Sequence, residues 1–176
     1  MEKKKRKNGF TFIELLVVTA VMAIITTLVL TEYRSGEKTN SLRLAVQQVV
    51  SDVRETQSSA LSSGQFCDKN DPAGCGLGIS FSVIPPLRQS YIIFVDKNAD
   101  RWRASDGSEN LKTVYLPNGI EIYYTTHPTQ SNAIFVPPRP TTYSSPGLAW
   151  TEIGLKVIGT NLTQMITIGP EGAIDY

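Results

Sequence analysis

The first thirty residues constrain this chain more than anything that follows them. Five basic residues, Lys3, Lys4, Lys5, Arg6 and Lys7, precede Gly9, and from Phe10 to Leu30 the chain is predominantly apolar, with no Lys, Arg or Asp and a single carboxylate, Glu14. As a helix rising 1.5 Å per residue, this stretch spans roughly 31 Å, about the thickness of one bilayer core. The basic leader holds the N-terminus in the cytoplasm by the positive-inside rule, so everything after Leu30 is expected across the membrane. A secretory signal has a shorter apolar core followed by a small-x-small cleavage site. No Ala-x-Ala follows Leu30; the charged residues Glu32, Arg34, Glu37 and Lys38 do. The plain alternative is an uncleaved signal anchor that tolerates its Glu. An acid in a membrane-length segment is unfavourable unless paired, and such residues are functional candidates by default. Cutting after Gly9 would create the partner, a cationic α-amino group on Phe10.

Gly9-Phe10-Thr11-Phe12-Ile13-Glu14-Leu15-Leu16 resembles the class III signal of type IV prepilins and pseudopilins. The resemblance implies that a prepilin peptidase cuts between Gly9 and Phe10 and methylates the new N-terminal Phe10. It gives Glu14 the part of the acid that pairs with an N-terminal amine during assembly. It also implies a non-enzymatic filament subunit, anchored once in the inner membrane with its N-terminus inside and its head outside the cytoplasm. Its partners would be other pilin or pseudopilin subunits, the peptidase, an inner-membrane assembly platform and the membrane itself.

The whole chain carries a formal charge of +1; without the five basic residues and Glu2 of the leader, 12 basic and 15 acidic residues remain, about −3. That balance argues against a broadly basic surface for nucleic acid. Once the helix is set aside, the length suits one small domain. The two cysteines, Cys67 and Cys75, enclose a turn-rich segment with Asn70-Asp71-Pro72. Outside the cytoplasm a disulfide is the natural reading, with two free thiols as the alternative. Two cysteines and a distant His127 make a poor zinc set.

The segmentation predicted is a leader 1–9, a membrane and filament-core helix 10–30, an amphipathic continuation 31–63 and a β-rich head 64–176. Gly36 lies in the polar stretch after the apolar run, where a kink or melted turn is expected. From Ser41 the helical period returns: Leu42, Val46, Val49, Val50, Val53, Ala60 and Leu61 recur three and four apart. This half should cover a sheet. Short β-type runs follow at 77–83, 91–95, 113–116, 120–124, 133–136, 153–158 and 164–168. Turn signals punctuate them, including Asn118-Gly119, which reads as a tight hairpin, and a Pro-, Ser- and Thr-rich loop over 137–146. One long helix followed by an antiparallel sheet gives an α+β, pilin-like fold.

A second resemblance covers most of the head. The stretches 45–48 and 54–60, the strand with its Asp96-Lys97-Asn98-Ala99-Asp100 loop, and Ile166-Thr167-Ile168-Gly169-Pro170-Glu171-Gly172 are similar to the type II secretion minor pseudopilin H and FimT minor pilin family. This implies a subunit that helps initiate or cap a pseudopilus or pilus. The alternatives are an ordinary major type IV pilin and a DNA-capturing minor pilin in natural transformation. The family commonly has Gly where Arg101 stands, so the tight turn implied there is put in question.

Asp96, Asn98 and Asp100 place oxygen donors at alternate positions, as at the opening of a calcium loop, and Asp106 or Glu109 could add a carboxylate. It is not an EF-hand loop, which needs Gly at Arg101 and Glu at Gly107. The plainer reading, which we favour on sequence, is a polar hairpin bonded to its own backbone. No cofactor is required. Arg101 and Arg103 flank Trp102, a combination that can grip single strands by phosphate contact and stacking. The end of the chain, Gly172 to Tyr176, holds Asp175 and no arginine, which argues against DNA. His127 has no acid or Cys motif beside it and supports no triad. Asn161-Leu162-Thr163 matches a glycosylation sequon, discounted beside a bacterial-type signal.

Overall fold

The computed structural model describes residues 10–62, 75–136, 141–145 and 150–176, with the backbone alone at 28, 30–35, 141, 142, 144 and 145. The cleavage residue Gly9, Cys67 and residues 137–140 and 146 of the loop expected over 137–146 lie outside them. Among the described residues one α-helix, α1 (Phe12–Ser62), precedes nine strands: β1 (Gly76–Ser82), β2 (Ser90–Asp96), β3 (Asn110–Tyr115), β4 (Ile120–Thr125), β5 (Gln130–Val136), β6 (Thr141–Ser145), β7 (Thr151–Val157), β8 (Thr163–Ile168) and β9 (Ile174–Asp175). This is an α+β, pilin-like arrangement. Two units divide the chain, Met1–Lys38 and Thr39–Tyr176.

In the first unit the helix exposes an apolar surface from Phe12 to Ile25. Phe12, Ile13, Leu15, Leu16, Val17, Val18, Val21, Met22, Ile24 and Ile25 are all exposed. Its threonines leave little polarity on that surface. Thr19 Oγ1 donates to the Leu16 carbonyl at 2.9 Å, Thr26 Oγ1 to Met22 at 2.7 Å and Thr27 Oγ1 to Ile24 at 2.7 Å. Hydroxyls bonded back into their own helix cost far less in an apolar surrounding than free ones. Among the described residues no helix is long and apolar enough to cross a membrane. The apolar sequence runs on to Leu30, but the side chains of Leu28 and Leu30 are outside the described set. The backbone stays helical through Gly36, so the melted turn expected there does not form.

In the second unit α1 turns a stripe of Leu42, Ala45, Val46, Val49, Val50, Val53 and Ala60 into a core shared with both sheets. The spacing of three and four keeps those side chains on one face. All the pairing is antiparallel. One sheet has five strands, β3-β2-β1-β5-β6, and the other four, β4-β7-β8-β9. Leu77, Ile79, Phe81, Tyr91, Ala133 and Phe135 from the first sheet meet Ile120, Ile122, Ile153, Leu155, Ile166 and Ile168 from the second in that core. Strand alternation also buries a second cluster on the opposite face of the larger sheet: Ile92, Phe94 and Ile134, with Leu87, Val136 and Tyr143 against it. Gly78 makes room there, since a Cβ on it would come within 2.8 Å of the Phe94 ring and 2.9 Å of Ile134.

Polar bonds also tie helix to sheet: Gln48 Nε2 donates to the Tyr115 carbonyl at 3.3 Å. The Tyr91 hydroxyl donates to Asp52 Oδ2 at 2.5 Å, with Tyr91 only 1 % exposed. Burial first, then the hydrogen bond and charge of Asp52, push the Tyr91 hydroxyl far above its usual range. It therefore stays a proton donor to Asp52.

Two further expectations are corrected. Pro117-Asn118-Gly119 does make a turn, with Ile120 N–H donating to the Pro117 carbonyl at 3.1 Å and Gly119 at φ 84°. It is not a hairpin: β3 and β4 belong to different sheets, so the turn hands the chain from one to the other. Within the expected Pro-rich loop, 141–145 forms β6, an edge strand paired to β5. Its Thr141, Thr142 and Tyr143 suit a strand, and the flanking prolines, excluded from strand interiors, bound it.

Candidate functional site

Two places gather the residues singled out by the sequence: the start of α1 and the loop between β2 and β3. At the first, Thr11 stands just ahead of the helix. Its Oγ1 accepts from the Glu14 N–H at 3.3 Å, and its carbonyl accepts from Leu15 N–H at 3.2 Å. The Thr11-x-x-Glu14 spacing is that of a capping box, a signal legible in the sequence itself. Glu14 sits in the first turn, where the positive end of the helix dipole favours an acid. Phe10, immediately upstream, is 84 % exposed. Around Glu14 the surface is apolar, and no ion pair to it occurs among the described residues.

The β2–β3 loop is built on buried acids. Asp96 closes β2 with no exposed surface, and Glu109 is 4 % exposed just ahead of β3. Glu109 staples the loop shut, its Oε1 accepting from Lys97 N–H at 3.2 Å and its Oε2 from Ala104 N–H at 2.8 Å. Asp96 Oδ2 accepts from Arg101 N–H at 3.0 Å, Asn98 Oδ1 from Asp100 N–H at 3.3 Å, and Asp100 Oδ1 from Trp102 N–H at 2.7 Å. Asn98 Nδ2 donates to Asp100 Oδ2 at 2.8 Å. The self-bonded hairpin favoured on sequence is thus present. Burial pushes the Asp96 carboxyl above the usual carboxylate range; the Arg101 N–H opposes the rise, and the nearby charges of Asp100 and Glu109 add to it. Asp106 turns elsewhere and accepts from Ser108 N–H at 2.9 Å, a bond that holds its carboxyl below the usual range.

The tight turn put in question by Arg101 forms all the same. Ala99 and Arg101 adopt φ of 56° and 63°, in the left-handed region. For a residue with a side chain this costs about 1–2 kcal/mol. The Arg101 guanidinium lies 3.7 Å from the centroid of the Tyr143 ring, a cation–π contact worth roughly 0.5–1 kcal/mol at an exposed site. Of the Arg-Trp-Arg triplet only Arg101 is openly exposed. Arg103 is buried, its Nη1 donating to the Ala104 carbonyl and to Asn110 Oδ1, both at 3.3 Å. Burial lowers the Arg103 pKa, against the pull of Glu109. Trp102 meets the His127 ring edge-on, with centroids 6.1 Å apart. The triplet therefore serves the loop's own packing more than a nucleic-acid surface.

His127 is a turn residue: its N–H donates to Ser131 Oγ at 2.9 Å and its carbonyl accepts from Thr125 Oγ1 at 2.7 Å. Cys75 is buried at 2 % exposure beside β1, and no cysteine among the described residues is free. Among the described residues, no group of three or more His, Cys, Asp and Glu side chains is placed to hold a metal ion. An oxygen site here would have to draw on Asn98 and on carbonyls as well.

Residues 4–30 match the family described as the prokaryotic N-terminal methylation motif. No curated protein and no solved structure matches the chain. The motif is that of type IV pilin-like subunits and implies anchoring in the membrane through the N-terminal helix.

Proposed function

We propose that this chain, which carries the class III signal of the type IV prepilin/pseudopilin superfamily, is a minor pseudopilin or minor pilin of the H/FimT kind. The observation that carries the reading is the matched segment 4–30 together with the apolar run from Phe10 to Leu30, in which Glu14 is the one acid. In this reading the precursor crosses the inner membrane once, its leader in the cytoplasm. A prepilin peptidase removes 1–9 and methylates Phe10. The subunit then leaves the bilayer through an assembly platform and joins other subunits to initiate or cap the filament. The helix that sheds lipid needs another apolar surface, and neighbouring helices supply it. Glu14 takes the N-terminal amine of a neighbouring subunit, because an isolated charge in that core is costly. Cys67 and Cys75 form a disulfide that closes the short loop before β1. The subunit itself catalyses nothing.

The expected outcome of deleting the gene is loss of secreted enzymes from culture supernatant with sheared surface pilin unchanged, read by comparative proteomics. Loss of the major surface pilin with secretion intact would move the subunit to a surface pilus. If both fractions match wild type, the role in initiating or capping a filament is wrong.

A further inference from the structure

We propose that the β2–β3 loop is a binding site for a hard divalent cation of calcium size, with Asp96 Oδ1, the Asn98 and Asp100 side-chain oxygens and the Trp102 carbonyl as protein donors. The observation that carries it is Asp96 Oδ1. This carboxylate oxygen is fully buried and has no hydrogen-bond partner, although Asp96 Oδ2 is satisfied by Arg101 N–H. A buried carboxylate oxygen without a donor is costly, and each such atom in a native fold calls for an occupant. The charges that bear on it are of the same sign, those of Asp100 and Glu109. A cation answers both the missing partner and that repulsion.

The backbone agrees with this assignment. In a calcium loop that opens Asp-x-Asn-x-Asp, donors come from the first, third and fifth side chains and the seventh carbonyl, with a sharp turn at the sixth residue. Counted from Asp96, those are Asn98, Asp100 and Trp102, and the sixth residue is Arg101, which holds φ 63° without being glycine. Asn98 Oδ1 and Asp100 Oδ1 each accept one backbone N–H and keep a second lone pair for a cation. Glu109 is a positioning residue, both of its oxygens being engaged with the loop backbone. Four protein donors leave the remaining two to four of calcium's six to eight positions to water. That supports affinity in the range of extracellular modules, on the order of 10⁻⁴–10⁻³ M. Magnesium, which needs near-ideal octahedral geometry at shorter distances, fits a staggered loop less well. The assignment does not depend on the filament role.

Trp102 provides the readout. The full chain in detergent micelles is titrated with terbium chloride, exciting tryptophan, and the bound ion is then displaced with calcium or magnesium chloride. The expected result is saturable sensitised emission, displaced by calcium at no less than tenfold lower concentration than by magnesium. Asp100→Asn keeps an acceptor for Trp102 N–H and should weaken calcium competition at least tenfold with an unchanged circular dichroism spectrum. Asp96→Asn should do the same, and Trp102→Phe should lose most of the emission while keeping a calcium-dependent rise in Tm. Absence of saturable emission from the folded wild-type chain, or an Asp100→Asn competition curve that overlays the wild type, would overturn the site. Equal displacement by magnesium would overturn the preference for calcium.

Discussion

Glu14→Ala leaves the chain in the membrane but removes it from sheared filaments. Membrane retention rests on the apolar run from Phe10 to Leu30, which loses nothing when its one acid becomes alanine. Assembly is different. In the proposed filament core the carboxylate meets the amine of a neighbouring subunit, and removing one partner of a buried pair costs about 3–5 kcal/mol. That is roughly a hundredfold or more in incorporation. Glu14→Gln should fail similarly, because the shape of the side chain is kept and the charge is not. Immunoblots of membrane and sheared fractions read both quantities. Equal recovery of wild type and Glu14→Ala in the sheared fraction would remove the pairing from the account.

The head should be most sensitive at Tyr91. Tyr91→Ala removes a wholly buried ring that packs on Phe81, with centroids 5.6 Å apart, together with the bond to Asp52. Truncating a buried aromatic to alanine costs about 3–5 kcal/mol, a large share of the 5–15 kcal/mol typical of a domain. Tyr91→Phe separates the two contributions. It keeps the ring and loses a hydrogen bond to a charged group, about 1.5–3 kcal/mol. The pH dependence follows from the raised Tyr91 pKa. An unfolded tyrosine ionises near pH ~10, whereas the buried hydroxyl keeps its proton well above that. Below pH ~10 both states hold the proton and this contribution is flat. Above it the unfolded chain releases the proton first, and stability falls as pH rises. Tm measured from pH 8 to 11 should therefore fall more steeply in wild type than in Tyr91→Phe, and parallel curves would show that the hydroxyl is not held as described.

Local patterns in the sequence were enough for much of this architecture. The helical stripe from Leu42 to Ala60 and the alternation in β2 depend only on the geometry of single elements. Choice of partner is not local. Nothing near Asn118-Gly119 says that the strands on either side of the turn enter different sheets, because β4 is claimed by β7, far along the chain. β6 was hidden by the prolines around it, and only pairing with β5 makes Thr141–Ser145 a strand. Arg101 misled for a similar reason. The missing glycine put the turn in question, yet a ring on β6 lies under the guanidinium and helps to hold it. The acids of the loop were legible as a spacing; the burial of Asp96 and the stapling by Glu109 required the fold. At the N-terminus the reverse is true. The signal is written in residue types and order, and the helix adds the Thr11 cap and the internally bonded threonines.

The central claim is that the chain is a processed filament subunit, and the mass of its N-terminal peptide, recovered from sheared or overproduced filaments, tests it most directly. The account predicts a peptide that begins at Phe10 and carries one added methyl group on its amine. A peptide that retains Lys3 to Lys7, or one that begins beyond Leu30, would contradict it.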